Sequence, residues 1–244
     1  MIKIEKTETY GWEAAIRGMR NAMNSWDRID TAIYDRYQIE EYCNGWSNGL
    51  CPHNGDCLKG VWVNDFQSLQ LGKNDLNLMT RLRKAGTDHR KYMRMIVVYC
   101  DITAPLYFWK QFDTYKVGTV VNSCSTMHKI QAKEFTLDDF SHEHLISSCL
   151  LEDTINELNI YRDIYNNYDR QTDEYKAEFS KKDIWWQMIQ LLGDSYNQKR
   201  TIMLNYEVLA NIYGSRLGHK LDEWNDFCEW IKTLPYSELI TGCE

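Results

Sequence analysis

The chain has 244 residues, a length that fits one globular domain, because single hydrophobic cores extend to about 250 residues. Hydrophobic residues make up 43% of it, and its 9 Trp, 16 Tyr and 7 Phe carry more apolar surface than a disordered chain leaves in water. The net charge of −7 disfavours general binding to nucleic acid or to an anionic membrane surface, since like charges repel.

The first predicted elements are a strand and two helices, separated by polar and turn-rich sequence. Residues 1–9 alternate aliphatic and charged side chains, which predicts a strand, and Gly11–Trp26 has the spacing of a helix. Residues 41–73 are rich in Asn-Gly and other turn formers, so we predict an irregular excursion with one short strand at Val61–Val63. A short helix over Asp75–Lys84 follows.

The rest of the chain reads as helices that follow one central strand. The β-branched centre of His89–Ile102 predicts a strand buried on both faces, and Leu106–Tyr115 is expected to form a helix after it. Apolar residues at helical spacing predict four further helices. These are Leu137–Tyr168, Asp173–Leu192, Asn205–Tyr213 and Lys220–Leu234, the last two separated by Gly214 and Gly218.

No segment has the length and composition of a membrane span. The longest uncharged apolar run, Met95–Cys100, is far shorter than the roughly 20 residues that cross a bilayer, and the N-terminus lacks the continuous apolar stretch of a signal peptide. The 8 cysteines are scattered through predicted helices and strands, unlike those of a disulfide-stapled secreted domain. We therefore expect a cytoplasmic protein with reduced thiols and no membrane partner.

Four residues of metal-ligand type lie in the turn-rich segment: Cys43, Cys51, His53 and Cys57. Their spacing contains no Cys-x-x-Cys knuckle, so we expect a loop there and no metal site. The sequence also lacks a Gly-rich phosphate loop, which argues against a Rossmann dinucleotide site or a P-loop.

A run of polar side chains extends from Lys110 to Lys129. It supplies hydroxyls, amides and cations, which are the groups that an anionic phosphate and a flat heteroaromatic ring both require. The same residue types also form turns and caps, so a ligand site and a cap cluster with surface lysines both remain open. The polar residues are Gln111, Lys116, Thr119, Asn122, Ser123, Ser125 and His128.

A second polar group, Asn205, Asn211 and Arg216, lies near the C-terminus in a segment of helical spacing. At 3.6 residues per turn, Asn205 and Arg216 would share one helix face about three turns apart. An arginine among apolar residues such as Leu209 and Ile212 needs a partner, and either a carboxylate of the same fold or a ligand can supply it.

The first polar run resembles the signature of the flavin-dependent thymidylate synthases. That signature is arginine-histidine-arginine, two residues, serine, one residue, asparagine-glutamate, one residue, serine, one residue and arginine, preceded by an arginine-glutamine pair. The leading pair is matched by Lys110-Gln111, the basic triplet by Thr114-Tyr115-Lys116, and the first serine, the asparagine and the second serine by Thr119, Asn122 and Ser125.

The resemblance continues on both sides of this run. Upstream, the stretch from Gly86 to His89 has the order and nearly the spacing of the family's glycine-histidine stretch. Downstream, two asparagines, a leucine and an arginine fall at the family's intervals, and a histidine and a tryptophan follow as they do in the family. These residues are Asn205, Leu209, Asn211, Arg216, His219 and Trp224.

This resemblance implies an α+β fold, with a mostly antiparallel sheet flanked by helices, over a single domain of residues 1–244. It implies a homotetramer whose active sites are shared between subunits, FAD as cofactor, and NADPH and methylenetetrahydrofolate as co-substrates. The implied reaction converts the pyrimidine nucleotide dUMP to dTMP. In such chemistry the flavin carries the hydride, while the protein positions and polarises the pyrimidine.

The same resemblance implies roles for individual residues. Arg216 and Ser125 would be catalytic, and Arg216 would stabilise negative charge that develops on the pyrimidine. The nucleotide would be bound by Gln111, Lys116, Ser125 and Arg216. The flavin would be bound by Asn205, Asn211, Thr119, Asn122 and His89.

Departures from the signature leave two alternatives open. Thr114 and Tyr115 stand where two basic residues are expected, and Ser123 stands where glutamate is expected, so the nucleotide site has lost charge. One alternative is a related flavoenzyme that modifies another pyrimidine nucleotide, for example by hydroxymethylation. The other is a catalytically silent protein that binds a nucleotide or a flavin.

Overall fold

The computed structural model describes residues 2–35, 61–64 and 67–242. The strands in these ranges are β1 (Lys3–Tyr10), β2 (Ala32–Asp35), β3 (Val61–Asn64), β4 (Gln67–Gln70), β5 (Val97–Pro105), β6 (Val120–Ser123) and β7 (Asn197–Asn205). The helices are α1 (Trp12–Arg20), α2 (Lys73–Lys84), α3 (Leu106–Phe112), α4 (Cys149–Asn166), α5 (Asp173–Glu178), α6 (Lys181–Leu191), α7 (Tyr206–Arg216), α8 (Asp222–Lys232) and α9 (Glu238–Thr241). Within the described ranges, no helix is long and apolar enough to span a membrane.

The fold is α+β, with an antiparallel sheet flanked by helices, which confirms the predicted fold class. One sheet has the strand order β1-β5-β7-β6, and a smaller sheet has the order β2-β4-β3. Strand β5 lies inside the larger sheet and buries Val98, Cys100 and Ile102 almost completely. Its central place in the sheet confirms the predicted central strand, but the prediction that both faces are buried is wrong, because Tyr99 on the other face is 41% exposed and the polar Asp101 and Thr103 are only half-buried.

The central strand begins later than its sequence pattern predicts. The chain forms a 3₁₀ turn over Lys91–Arg94, and β5 starts only at Val97. In this turn the N–H of Met93 donates to a carbonyl three residues back, as does that of Met95. The alternating side chains favour a strand, but these local backbone hydrogen bonds form in place of hydrogen bonds to a neighbouring strand.

Several predicted helices are shorter in the structure. Helix α1 ends at Arg20 instead of Trp26, and α3 ends at Phe112 instead of Tyr115. The long helix predicted from Leu137 begins only at Cys149, after a 3₁₀ turn and a loop.

The helix predicted over Asp173–Leu192 is divided into α5 and α6. The break lies at Ser180, whose Oγ accepts the N–H of Asp183 while the Asp183 carboxylate accepts the N–H of Ser180. This reciprocal capping box starts a new helix and so ends the previous one.

The predicted excursion over 41–73 lies partly outside the described residues, and so do Cys43, Cys51, His53 and Cys57. Strand β3 confirms the strand predicted at Val61–Val63. The structure adds β4, which pairs antiparallel with both β2 and β3, so this part of the excursion is regular.

Helix α7 differs from its prediction at both ends. Asn205 is its N-cap instead of its first residue, and the helix continues through Gly214 to Arg216. Burial of Leu209 and Ile212 on one face outweighs the cost of about 1 kcal/mol for a glycine in the helix.

The chain divides into two compact units. The first contains the described parts of Met1–Glu5, Asp101–Thr114 and Val121–Ile202. Its core joins α4 and α6 with the preceding loop through six buried apolar residues. These are Ile130, Phe135, Phe140, Ile155, Leu158 and Met188.

The second unit contains the described parts of Lys6–Cys100, Tyr115–Val120 and Met203–Glu244. In its core the Trp12 and Tyr206 rings meet edge to face at 5.2 Å. A buried ion pair joins Arg20 of α1 to Asp75 of α2, with 2.7 Å between Nη2 and Oδ1. The hydroxyl of Thr31 donates to the other oxygen of Asp75, so this carboxylate holds three segments together.

Candidate functional site

Helix α7 carries three of the predicted site residues, with Asn205 at its start, Asn211 in its middle and Arg216 at its end. Asn205 is extended (φ −126°, ψ 168°), and its Oδ1 accepts the N–H of Val208 at 3.0 Å. This bond pairs one of the donors that the first turn of a helix leaves open. The structure therefore gives Asn205 a capping role that the sequence analysis did not assign.

The segment Tyr115–Val120 approaches this cap at Gly118. Gly118 has a φ of +77°, and a Cβ there would lie 2.8 Å from Nδ2 of Asn205, so a larger residue does not fit. The Oγ1 of the neighbouring Thr119 is buried and has no hydrogen-bond partner among the described residues. The unpaired hydroxyl of Thr119 therefore belongs to the residue that follows Gly118, the point at which this segment packs against the Asn205 amide.

An ion pair between Arg90 and Glu207 lies beside Asn211. Nη2 of Arg90 donates to Oε1 of Glu207 at 3.0 Å and to Oδ1 of Asn211 at 3.3 Å. Nε of Arg90 lies 2.8 Å from Oε2 of Glu207 without hydrogen-bond alignment, so that contact is chiefly electrostatic. The two charged side chains are only 16% and 8% exposed, and such charges persist in a fold when they are paired.

The sequence analysis did not single out Arg90 or Glu207. One signal was available, because Glu207 and Asn211 are four residues apart on one helix face and can share a partner. The identity of that partner was not accessible, since Arg90 precedes Glu207 by 117 residues.

The guanidinium of Arg216 lies among aromatic side chains at the end of α7. Nε donates to Oη of Tyr115 at 2.9 Å, and Cζ lies 4.6 Å from the ring centre of the buried Trp224. Nη1 lies 3.2 Å from Nε2 of His219. A cation in the last turn also interacts favourably with the helix dipole. We call Tyr115, Arg216, His219 and Trp224 the Arg216 cluster.

His219 is fixed in this cluster by backbone bonds. Its Nδ1 accepts the N–H of Leu221 at 3.1 Å, and its carbonyl accepts a hydrogen bond from Nδ2 of Asn225 at 2.9 Å. The ring also meets Trp224 edge to face. The imidazole direction is therefore set by the turn that precedes α8.

The remaining predicted site residues lie outside the Arg216 cluster. His89 and Lys116 are exposed in the second unit, while Asn122 is exposed and Gln111 half-buried in the first. Ser125, also exposed in the first unit, accepts the N–H groups of Met127 and His128 with its Oγ. The turn interpretation of the polar run therefore applies at Ser125, whose hydroxyl proton can still be donated.

The four cysteines described in the structure, Cys100, Cys124, Cys149 and Cys228, are free thiols. Burial raises the pKa of Cys228 to about 11, which keeps this thiol protonated. Among the residues that the structure describes, no group of three or more His, Cys, Asp or Glu side chains is arranged to hold a metal ion.

No family model matches this sequence, and no curated protein matches it. Many solved structures match it, and two of them illustrate the similarity over almost the whole chain. Thymidylate synthase X (ThyX) from Helicobacter pylori with FAD and dUMP is 11% identical, with a TM-score of 0.61 over 99% of this chain and 97% of that one. A second structure of flavin-dependent thymidylate synthase ThyX from the same organism, complexed with FAD and dUMP, is 12% identical, with a TM-score of 0.59 over 98% and 99% of the chains. The chain therefore has a ThyX-like fold.

Proposed function

We propose that this chain is a flavin-dependent enzyme that modifies a pyrimidine nucleotide, and that its reaction is the reductive methylation of dUMP to dTMP. The observation that carries this proposal is the Arg216 cluster, located in a fold shared with structures that contain FAD and dUMP. A guanidinium has five N–H donors in a planar fork, which matches the carbonyl and imide edge of a pyrimidine. Its charge would stabilise negative charge that develops on the ring.

The polar groups at the start of α7 fit a flavin. The buried Thr119 hydroxyl has no partner in the described part of the chain, and the Asn205 amide packs against Gly118, the preceding residue in the sequence. A flavin ring presents alternating donors and acceptors, which hydroxyl and amide groups can pair. We propose that Thr119, Asn205 and Asn211 hold FAD, with contributions from Asn122 and His89.

When bound, reduced FAD would supply the hydride, with NADPH as the reductant of the flavin and methylenetetrahydrofolate as the source of the carbon. The protein's part is to bind and orient the nucleotide. We assign this task to Gln111, Lys116, Ser125 and Arg216. Thr114 and Tyr115 are neutral, so Lys116 is the charged side chain of the triplet. We propose that it binds the phosphate of the nucleotide.

The proposed assembly is a homotetramer with shared active sites. Exposed apolar side chains are consistent with contacts between copies: Ile146 is fully exposed and Leu150 is 80% exposed in the first unit. Light scattering measures the assembly directly, and a strict monomer near 29 kDa would contradict it.

The experiment that tests the function uses the purified protein in two steps. Mass spectrometry of small molecules released by denaturation is expected to find FAD. The protein is then supplied with dUMP, methylenetetrahydrofolate and NADPH, and a methylated nucleotide is expected. A hydroxymethylated product would support the related flavoenzyme, and bound FAD and dUMP without product would support the silent protein. A protein that binds neither FAD nor a pyrimidine nucleotide would contradict the proposal.

A further inference from the structure

The side chain of Gln198 on β7 contacts the chain segment that leads to Ser125. Gln198 is only 8% exposed, and its Nε2 donates to the carbonyl of Cys124 at 2.7 Å. The N–H of Cys124 donates to the carbonyl of Lys199 at 2.9 Å. Both backbone polar groups of the residue before Ser125 are therefore bonded to consecutive residues of β7.

The orientation of the Gln198 amide is determined by its two partners. Nε of Arg200 donates to Oε1 of Gln198 at 2.9 Å, and a guanidinium can only donate. The carbonyl of Cys124 can only accept, so it requires the NH2 group of the amide. Rotation of the amide by half a turn would break both hydrogen bonds. The two bonds therefore select one orientation, with the NH2 group directed at Cys124.

Arg200 is itself fixed by two further contacts. Its Nη1 donates to Oδ1 of Asp113 at 2.8 Å, and its Cζ lies 4.3 Å from the ring centre of the buried Trp109. The indole Nε1 of Trp109 donates in turn to the backbone carbonyl of Gln198 at 3.0 Å. The side chain of Arg200 is 13% exposed. We call Trp109, Asp113, Cys124, Gln198 and Arg200 the Gln198 network.

The turn that carries Ser125 is held at its other end as well. Nε1 of Trp185, on α6, donates to the carbonyl of Met127 at 3.0 Å. Within the turn, Oγ of Ser125 accepts the N–H groups of Met127 and His128 at 3.1 and 3.2 Å. A hydroxyl that accepts two N–H groups still has its own proton to donate. The point to which Ser125 donates this proton therefore depends on the two anchors of the turn.

We propose that Gln198 is a positioning residue for Ser125: its amide, oriented by Arg200, fixes the carbonyl of Cys124 and thereby the place from which the Ser125 hydroxyl donates to the nucleotide. A buried polar network whose members are all hydrogen-bonded makes its surroundings rigid, whereas an exposed turn is otherwise among the more mobile parts of a fold. This inference rests on the proposed function, because the contact between Ser125 and a nucleotide belongs to it. The network itself consists of protein atoms only.

Two substitutions of Gln198 remove the donor to Cys124. In Gln198→Glu, one carboxylate oxygen still accepts from Arg200, but the other faces the Cys124 carbonyl, and two acceptors repel each other. In Gln198→Met, the side-chain volume is similar and both hydrogen bonds are lost.

Two further variants of the same unit serve as controls. Gln187→Glu makes the same chemical change at an amide that donates to the carbonyl of Asp183 on α6. Leu158→Ala truncates a core residue that belongs neither to the turn nor to the Gln198 network, and it is expected to lower the melting temperature. The first variant controls for the added charge and the second for a general loss of stability.

Amide hydrogen exchange of the ligand-free protein measures the stability of the turn directly. The N–H groups of Met127 and His128 are expected to exchange about two- to tenfold faster in both Gln198 variants, the effect of one lost hydrogen bond that anchors the turn. Gln187→Glu is expected to leave these rates unchanged. Unchanged rates in the Gln198 variants would overturn the positioning role.

Calorimetry with dUMP measures the effect on the ligand. Both Gln198 variants are expected to bind dUMP about two- to tenfold more weakly than wild type. Gln187→Glu and Leu158→Ala are expected to bind like wild type, even though Leu158→Ala melts at a lower temperature. In the Ser125→Ala background, the Gln198 substitutions are expected to cause no further loss of dUMP binding, because they act through Ser125.

The outcomes separate this inference from the proposed function. Additive losses of dUMP binding in the double variants would show that Gln198 acts independently of Ser125, and this result would overturn the positioning role. Equal dUMP binding by wild type and both Gln198 variants would overturn it as well. In either case the proposed function remains intact. A wild-type protein that binds no dUMP would overturn both.

Discussion

Nε of Arg216 donates to Oη of Tyr115 over 2.9 Å, and Cζ of the arginine lies 5.6 Å from the centre of that phenol ring. A neutral phenol therefore fixes the direction of the guanidinium, at the position where the resemblance predicts the middle residue of a basic triplet. In the proposed function this guanidinium faces the nucleotide, so the hydroxyl of Tyr115 would orient Arg216 toward it.

We expect Tyr115→Phe to retain the ring packing and to lose the acceptor for Arg216. The free energy of unfolding should fall by about 0.5–1.5 kcal/mol, and dUMP binding should weaken several-fold because the guanidinium loses an anchor. Denaturant titration and calorimetry measure the two effects. Tyr168→Phe is the matched control, since it deletes a hydroxyl that donates to the carbonyl of Phe179. Equal losses of dUMP binding in both variants would refute a specific role for Tyr115.

The cap at α7 makes Asn205→Ala an ambiguous test of flavin binding, because it removes a capping bond worth about 1 kcal/mol. Asn205→Asp retains an acceptor for the Val208 N–H and loses the amide donor. We expect the alanine variant to be less stable than the aspartate variant, and both to retain less FAD than wild type. Thermal melting measures the difference in stability, and the flavin content of the purified proteins measures FAD retention. Full FAD retention in Asn205→Asp would show that the amide donor does not contact the flavin.

Removal of Arg90 should destabilise the fold more than any surface substitution. Arg90→Ala leaves the nearly buried Glu207 unpaired, at a cost of about 3–5 kcal/mol in the free energy of unfolding. The double variant Arg90→Ala/Glu207→Gln should recover part of this loss, because no charge is then left unpaired. Urea denaturation of both proteins measures the difference. Equal stabilities of the single and the double variant would mean that an unpaired charge on Glu207 does not cause the loss.

Asp75 gives stability a defined pH dependence. Burial opposes its ionisation, but hydrogen bonds from Thr31 and Arg20 and from backbone N–H groups outweigh burial, and the pKa of Asp75 is lowered. Its stabilising contribution is therefore complete above the unfolded-state pKa of about 4 and is lost as pH falls through the lower folded-state pKa. We expect the free energy of unfolding to decrease below about pH 4, with a shallower decrease in Asp75→Asn. Identical slopes in the two proteins would assign the acid sensitivity to other carboxyl groups.

The sequence predicts those elements whose side chains alternate or repeat clearly. Strands β1 and β5 and helix α2 follow directly from such patterns. Strand β7 was missed because it begins with the polar run Asn197–Arg200, and β6 was missed because all four of its residues are exposed and show no burial pattern. Such strands are specified by their neighbours in the sheet and not by their own hydrophobicity.

The site was predictable to the same limited extent. Spacing along one helix linked Asn205, Asn211 and Arg216, and the structure places all three on or beside α7. The partners that orient them are distant in the chain: Tyr115 precedes Arg216 by 101 residues. Contacts at such separations depend on the tertiary fold, so local pattern cannot supply them.

The central claim is that the Arg216 cluster binds a pyrimidine nucleotide in a flavoprotein. The most direct measurement is a titration of the FAD-loaded protein with dUMP, followed by flavin absorbance, in wild type and in Arg216→Lys. The account predicts a saturable spectral change in wild type, and equal flavin content with dUMP binding at least about tenfold weaker in the lysine variant, which keeps the charge but lacks the planar fork. A protein that takes up no FAD, or whose bound flavin does not respond to dUMP, would contradict the account.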